Sequence, residues 1–196
     1  MASEVETINS ALNMLGATNI ISRGEDSKSA RVTNQRFDAV RDAVFRAHYW
    51  NCLVTRVALA ADSDTPAFGW SYQFTLPTDP YCLRVMQLDY LDIDFQVEGR
   101  KILTDESTIN LIYLARVEDP NEWDSLLNET IAARLAADIS FAMVQSTSLT
   151  ANLYALYESK LSEARFTDAT EGTPGSMTGV TTSGALQSDV LINSRL

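Results

Sequence analysis

Residues 30–59, ARVTNQRFDAVRDAVFRAHYWNCLVTRVAL, contain the change of period on which the fold turns. Ala30, Thr33, Phe37, Val40, Val44 and Ala47 recur alternately three and four residues apart, which is the spacing of one face of an α-helix. Arg31, Gln35, Arg36, Asp38, Arg41 and Asp42 fall on the opposite face, expected in solvent or against another subunit. From Trp50 that spacing is lost. Leu53-Val54-Thr55-Arg56-Val57-Ala58-Leu59 is rich in β-branched and apolar residues, the types that suit a pleated strand.

Upstream of this stretch, Ser3 and Glu6 have the spacing of a capping box, in which each side chain satisfies a free backbone donor at a helix start. Val5, Ile8, Leu12 and Leu15 continue at helical intervals, and Gly16 is placed to end the helix. Arg23 to Ser27 reads as a turn whose last residue caps the second helix.

Downstream, turn chemistry at Asp62-Ser63-Asp64-Thr65-Pro66 separates the first strand from an alternating run, Trp70 to Leu76, and Pro77 to Pro80 supplies the next turn. Cys82 to Leu88 reads as a strand. Phe95-Gln96-Val97 and Lys101-Ile102-Leu103 flank Glu98-Gly99-Arg100 as a hairpin, and Thr108 to Ala115 is a further β-rich run. These runs predict one small, largely antiparallel sheet.

Helical spacing returns after Asp119-Pro120. Leu127, Ile131, Leu135, Ile139, Ala142 and Met143 form one stripe, and Leu149, Leu153, Leu156, Tyr157, Leu161 and Ala164 form another, joined through residues 145–149 as an antiparallel pair. Beyond Asp168 there is no aromatic residue and no lysine. Gly172, Gly175, Gly179 and Gly184 sit among Ser and Thr, a composition that buries too little apolar surface to offset backbone ordering. The predicted class is therefore α+β. A four-helix bundle is expected from residues 1–49 and 117–168, with an inserted antiparallel β module at 50–116 and a flexible C-terminal arm at 169–196.

With 196 residues, 45% of them hydrophobic, the chain can build one domain with a substantial core. No apolar run approaches the roughly 18–20 residues a membrane span requires, and the first residues are acidic where a signal peptide would be basic. A soluble protein made in a cytoplasm is the expectation. The net charge of −11 argues against tight binding to a nucleic-acid backbone, though a channel that conducts DNA benefits from walls to which the polymer does not adhere.

Candidate chemistry is sparse. Cys52, Cys82 and His48 are too few for a standard zinc site or a disulfide framework. His48 is the single candidate base for nucleophilic catalysis, at a helix end where a histidine commonly caps carbonyls or packs on aromatics such as Tyr49 and Trp50. Asp89, Asp92 and Asp94 form an acidic cluster without the glycine-punctuated loop of a calcium site. They leave open the alternative of a hydrolase acting on a polysaccharide or cell-wall polymer through Asp92 or Asp94. No phosphate-binding glycine motif occurs, so no cofactor is expected. The aromatics from Tyr49 to Phe74 lack the interleaved basic residues that single-strand binding needs, and a packed junction accounts for them.

A series of segments from about residue 7 to 172 carries a family likeness. It opens with Ile8-Asn9-Ser10-Ala11-Leu12-Asn13-Met14-Leu15-Gly16, Ile20-Ile21-Ser22, and the Arg36 to Asp42 helix running into His48-Tyr49-Trp50-Asn51. It continues with Gly69-Trp70-Ser71-Tyr72, Leu76-Pro77-Thr78-Asp79 and Glu98 to Thr104, and closes with Tyr113, Leu135-Ala136 and Ala164-Arg165-Phe166-Thr167-Asp168-Ala169. In order and spacing these resemble the tail tubular protein A family, the head-to-tail adaptors of short-tailed phages. The resemblance implies a non-enzymatic virion protein, assembled in the host cytoplasm. It would form a dodecameric ring between the portal protein and the tail nozzle protein, with genomic DNA passing through without specific binding. It further implies lateral contacts through the helices and a distal face on the β module, with Asp89, Asp92, Asp94, Glu98 and Arg100 as candidates. The arm would order against the portal or a neighbouring subunit through Thr173, Met177, Val180, Val190, Leu191 and Ile192.

Overall fold

Each helix starts where a short polar side chain meets free backbone N–H groups. In α1 (Glu4–Met14) Ser3 Oγ accepts from Glu6 N at 3.1 Å, while the Glu6 carboxylate accepts from Ser3 N at 3.0 Å. Gly16, at φ 65°, turns the chain away in a left-handed conformation that side chains with a Cβ adopt at a cost. Ser27 caps α2 (Lys28–Ala47) by accepting from Ala30 N at 3.2 Å. Asp124 accepts from Leu126 N and Leu127 N at the start of α3 (Ser125–Val144), and Ser146 from Leu149 N at the start of α4 (Thr147–Thr170).

The structure, a computed structural model, describes residues 3–88 and 93–171. Asp89 and Asp92, and the arm positions Thr173, Met177, Val180, Val190, Leu191 and Ile192, lie outside the described residues. Those described form a mixed α+β fold of four α-helices and two small antiparallel sheets.

Helix α3 packs against α1, α2 and α4. Its large residues Leu127, Ile131, Leu135 and Ile139 are buried, and so are Ala132, Ala133, Ala136 and Ala137, because small side chains let neighbouring helices approach on several sides. Polar joints fix the registers: Thr7 Oγ1 donates to Asn128 Oδ1 at 2.6 Å, and Arg36 Nε to Asp138 Oδ2 at 2.5 Å. Ser140 meets Thr150 at 2.6 Å and Lys160 meets Glu129 at 2.5 Å, so α4 runs back along α3. Only Gln145 and Ser146 separate those two helices, a shorter connection than the stripes imply.

Two stripe positions differ from expectation. Ala142 is exposed, and Leu156 keeps 38% of its surface. Leu156 lies at the angular edge of its stripe, and Ala142 lies in the last turn of α3. A larger departure is Arg41, expected on the outer face of α2 and in fact only 5% exposed. It lies against the start of α1, where Glu4 meets its guanidinium at 3.5 Å.

The strands form two sheets rather than one. Strand β6 (Thr108–Ala115) lies between β1 (Val54–Ala60) and β3 (Cys82–Leu88), and β5 (Lys101–Thr104) lies between β2 (Tyr72–Thr75) and β4 (Phe95–Glu98). The β4–β5 turn passes through Gly99 at φ 58°. Period-2 alternation reports which residues share a face and carries no information on which strands pair, so the split is invisible in the sequence.

Two apolar cores result. Trp50, Leu53, Leu83 and Leu114 join the helices in the first, and Phe74, Ile102, Ile109, Leu111 and Tyr113 fill the second between the sheets. Strand β6 contributes to both, which accounts for its nearly continuous burial.

Asp62 ties the small sheet to the end of β1. Its carboxylate accepts from Lys101 Nζ at 2.8 Å and from Thr75 Oγ1 at 3.0 Å, and its N–H donates to Gln73 O at 2.8 Å. The Lys101 contact is the main influence holding the Asp62 carboxyl below its ordinary value. A carboxyl depressed in the folded state adds stability above its unfolded pKa and loses it as pH falls through the folded pKa. Asp62→Asn is therefore expected to cost less than about 1 kcal/mol at pH 7, since the pair is partly solvated. In urea titrations the gap from wild type should close below about pH 4. A gap that widens in acid would contradict this account.

Candidate functional site

The C-terminal end of α2 is a densely bonded junction. The last carbonyls of a helix have no intrahelical donor, and here no glycine follows to supply the usual turn. His48 leaves the helix in an extended conformation. Trp50 Nε1 donates to Val44 O at 3.0 Å, Arg165 to Ala47 O at 2.7 Å, and Arg84 to Arg46 O at 3.4 Å. Three side chains from separate parts of the chain thus do the work of one local cap.

Beside them Asp168, 6% exposed, accepts from Asn51 N at 2.9 Å and faces His48 Nε2 at 3.1 Å. Its backbone carbonyl accepts from Asn51 Nδ2 at 2.8 Å, and the His48 ring meets Trp50 edge to face at 4.9 Å. The candidate base is held as a clamp between the end of α4 and the start of the strands. Burial is the first influence on both thiols, Cys52 and Cys82, and pushes each above its ordinary pKa, away from the reactive thiolate. Among the described residues no cluster of three or more His, Cys, Asp or Glu is placed to hold a metal, and no helix is long and apolar enough to cross a membrane.

The segments that carry the family likeness meet in pairs. Asn9 bonds both Ile20 N, at 2.8 Å, and Ile20 O, at 2.9 Å. His48 and Asn51 meet Asp168. Arg100 donates to Pro77 O at 2.6 Å and Leu76 O at 3.3 Å, with its guanidinium 4.0 Å from the centre of the Tyr81 ring. Ser71 donates from N and Oγ to Asp105, just beyond the β5 segment. Their geometry is that of structural joints between distant parts of the chain.

The distal-face candidates are dispersed. Asp94 is exposed, and its backbone carbonyl accepts from Thr104 Oγ1 at 2.9 Å. Glu98 is exposed in the wall of a groove of about 440 Å³ shared with Phe68, Trp70 and Lys101, where Phe68 is 87% exposed. Arg100 turns inward to clamp the 76–82 segment.

Sequence reading passed over two other grooves. One, of about 380 Å³, is lined by Arg46, Arg84 and Arg100 and by no carboxylate. The second, of about 510 Å³, is lined by Asp79, Glu118, Asp119 and Glu122, and its one cation, Arg116, is paired with Asp42. Hydrogen bonds from Asn121 hold the Asp119 carboxyl below its ordinary value, so that group stays ionised at neutral pH. These residues come from five separate stretches of chain, so no motif marks either groove. The chain matches no family model and no curated protein.

Proposed function

We propose that this chain is a structural subunit of a phage virion, a head-to-tail adaptor that forms a ring between a portal protein and a tail nozzle and lets DNA pass through its centre. The observation that supports the reading is the pairing just described. Segments that resemble the tail tubular protein A adaptors, separated by up to about 120 residues, meet as hydrogen-bonded joints within an α+β fold that runs helix pair, strands, helix pair. In this reading the four helices act as one bundle providing lateral contacts, residues 50–116 form an inserted module on the distal face, and residues 169–196 engage the portal or a neighbouring subunit. Exposed apolar side chains at Ile21, Phe68, Phe141 and Phe166 suit such contacts. Closed rings need only modest attraction per subunit, because the contacts add through multivalency.

Electron microscopy of the full chain mixed with its cognate portal tests the reading. A ring added to one end of the portal is the expected result, and removal of residues 170–196 should abolish that addition. Absence of any association across a range of salt concentrations, with both proteins folded, would overturn the adaptor assignment.

A further inference from the structure

On a chain of net charge −11, four guanidiniums gather without an ion-pair partner among the described residues: Arg46, Arg84, Arg100 and Arg165. Their hydrogen bonds string them together. Arg165 donates to Ala47 O, Arg84 to Arg46 O, Arg46 to Leu83 O and Arg100 to Cys82 O. The acceptors are neighbouring backbone positions on α2 and β3, so the strip runs from the end of α4 across the end of α2 to the β4–β5 turn. The negative end of the α2 dipole explains part of the gathering. It does not use it up, because each guanidinium offers five N–H donors and donates to at most a few carbonyls here. Tyr49 and Tyr81 lie under Arg84 and Arg100 at 4.5 and 4.0 Å and hold the two forks in place.

Tyr81 is also a wall of the acidic groove. Asp79, Glu118, Asp119 and Glu122 are all exposed there, and none of them has an ion-pair partner among the described residues. One surface therefore carries an unmatched set of cations and an unmatched set of anions on either side of a shared aromatic wall.

We propose that the two grooves are two halves of one contact between copies of this chain, the arginine strip of each copy seating in the acidic groove of its mate about a two-fold axis. The inference goes beyond the ring reading, whose lateral contacts run through the helices, because complementary patches side by side on one face pair two copies reciprocally. Charge complementarity selects the occupant: the acidic partner is present on every copy at equal concentration, whereas duplex DNA is repelled by the rest of a strongly acidic surface. Arginine suits the role because its planar fork takes a carboxylate in two parallel hydrogen bonds.

Charge reversal on the full-length chain tests this, with association read by sedimentation at low and high salt. Wild type should associate at low salt and dissociate as salt is added. Arg46→Glu with Arg84→Glu, and separately Glu118→Lys with Glu122→Lys, should each remain monomeric. An equimolar mixture of the two variants should associate at least about tenfold more tightly than either alone, because each then supplies the sign the other lacks. Arg46 and Arg84 also hold backbone carbonyls, so thermal melts come first, and Arg84→Glu alone replaces the double variant if the latter melts early. Failure of the mixture to associate, unchanged association of the single-sign variants, or monomeric wild type overturns the proposal. Loss of duplex-DNA retention in the arginine variant with copy-to-copy association intact also overturns it, and identifies a nucleic-acid surface. A portal that collects no ring while copies still associate by charge defeats the adaptor reading alone.

Discussion

Trp50→Ala is expected to lower folding stability by about 4 kcal/mol, the upper range for removing a large buried aromatic. Trp50 is 0% exposed and belongs to the core formed by the helices. Truncation opens a cavity where α2 passes into β1, and it strips the donor from Val44 O, a carbonyl that has no intrahelical partner. Trp50→Phe separates the two contributions, since it keeps most of the volume and loses the N–H. It should cost about 1–2 kcal/mol beyond its small volume change. Urea unfolding followed by circular dichroism measures both. A loss below about 1 kcal/mol for the alanine variant would mean that the junction collapses around the gap and that Trp50 does not organise it.

Arg41→Ala is expected to cost about 3 kcal/mol. The guanidinium faces Asp42 at 3.2 Å, Glu4 at 3.5 Å and Asp38 at 3.7 Å, and its removal leaves three carboxylates around the space it filled. Neighbouring cations moderate the loss, because Arg23 holds Glu4 at 2.6 Å and Arg116 pairs with Asp42. Arg41→Lys should recover part of the stability by restoring charge without the fork, and Arg41→Met should recover less. The same unfolding assay distinguishes these variants. If alanine is tolerated within about 0.5 kcal/mol, water screens the cluster and it behaves as an ordinary surface network.

Arg41 also marks a limit on what its own helix could reveal. By spacing it sits four residues after Phe37 and three before Val44, at the edge of the apolar stripe, so the outer-face expectation followed its charge, which is ordinarily solvated, and not its position. What no pattern within α2 encodes is the partner Glu4, which arrives from α1. The sheets illustrate the same limit. Strands β3 and β6 could be bounded from their β-rich runs and flanking turns, yet the partition into β1-β6-β3 and β2-β5-β4 depends on pairings across tens of residues. Of the candidate site residues, Glu98 and Asp94 were legible as exposed polar positions, whereas the inward turn of Arg100 onto Tyr81 and the 76–82 carbonyls was not. The arginine groove was illegible for the same reason, since Arg46, Arg84 and Arg100 come from separate stretches, whereas the acidic groove draws Glu118, Asp119 and Glu122 from one short run and only Asp79 from elsewhere.

What the sequence determined by itself was the helix starts at Ser3 and Ser27 and the helical stripes, all governed by contacts within about four residues. The two caps satisfy N–H groups three positions onward, and the stripes repeat on the same scale. What only the tertiary structure decided was the end of α2, where Arg84 and Arg165 reach carbonyls 38 and 118 residues away. The difference is physical. A helix start brings its polar partners along in the same turn of chain, but the end of α2, where His48 leaves in an extended conformation, must find donors elsewhere, and which donors arrive is settled only when the cores close.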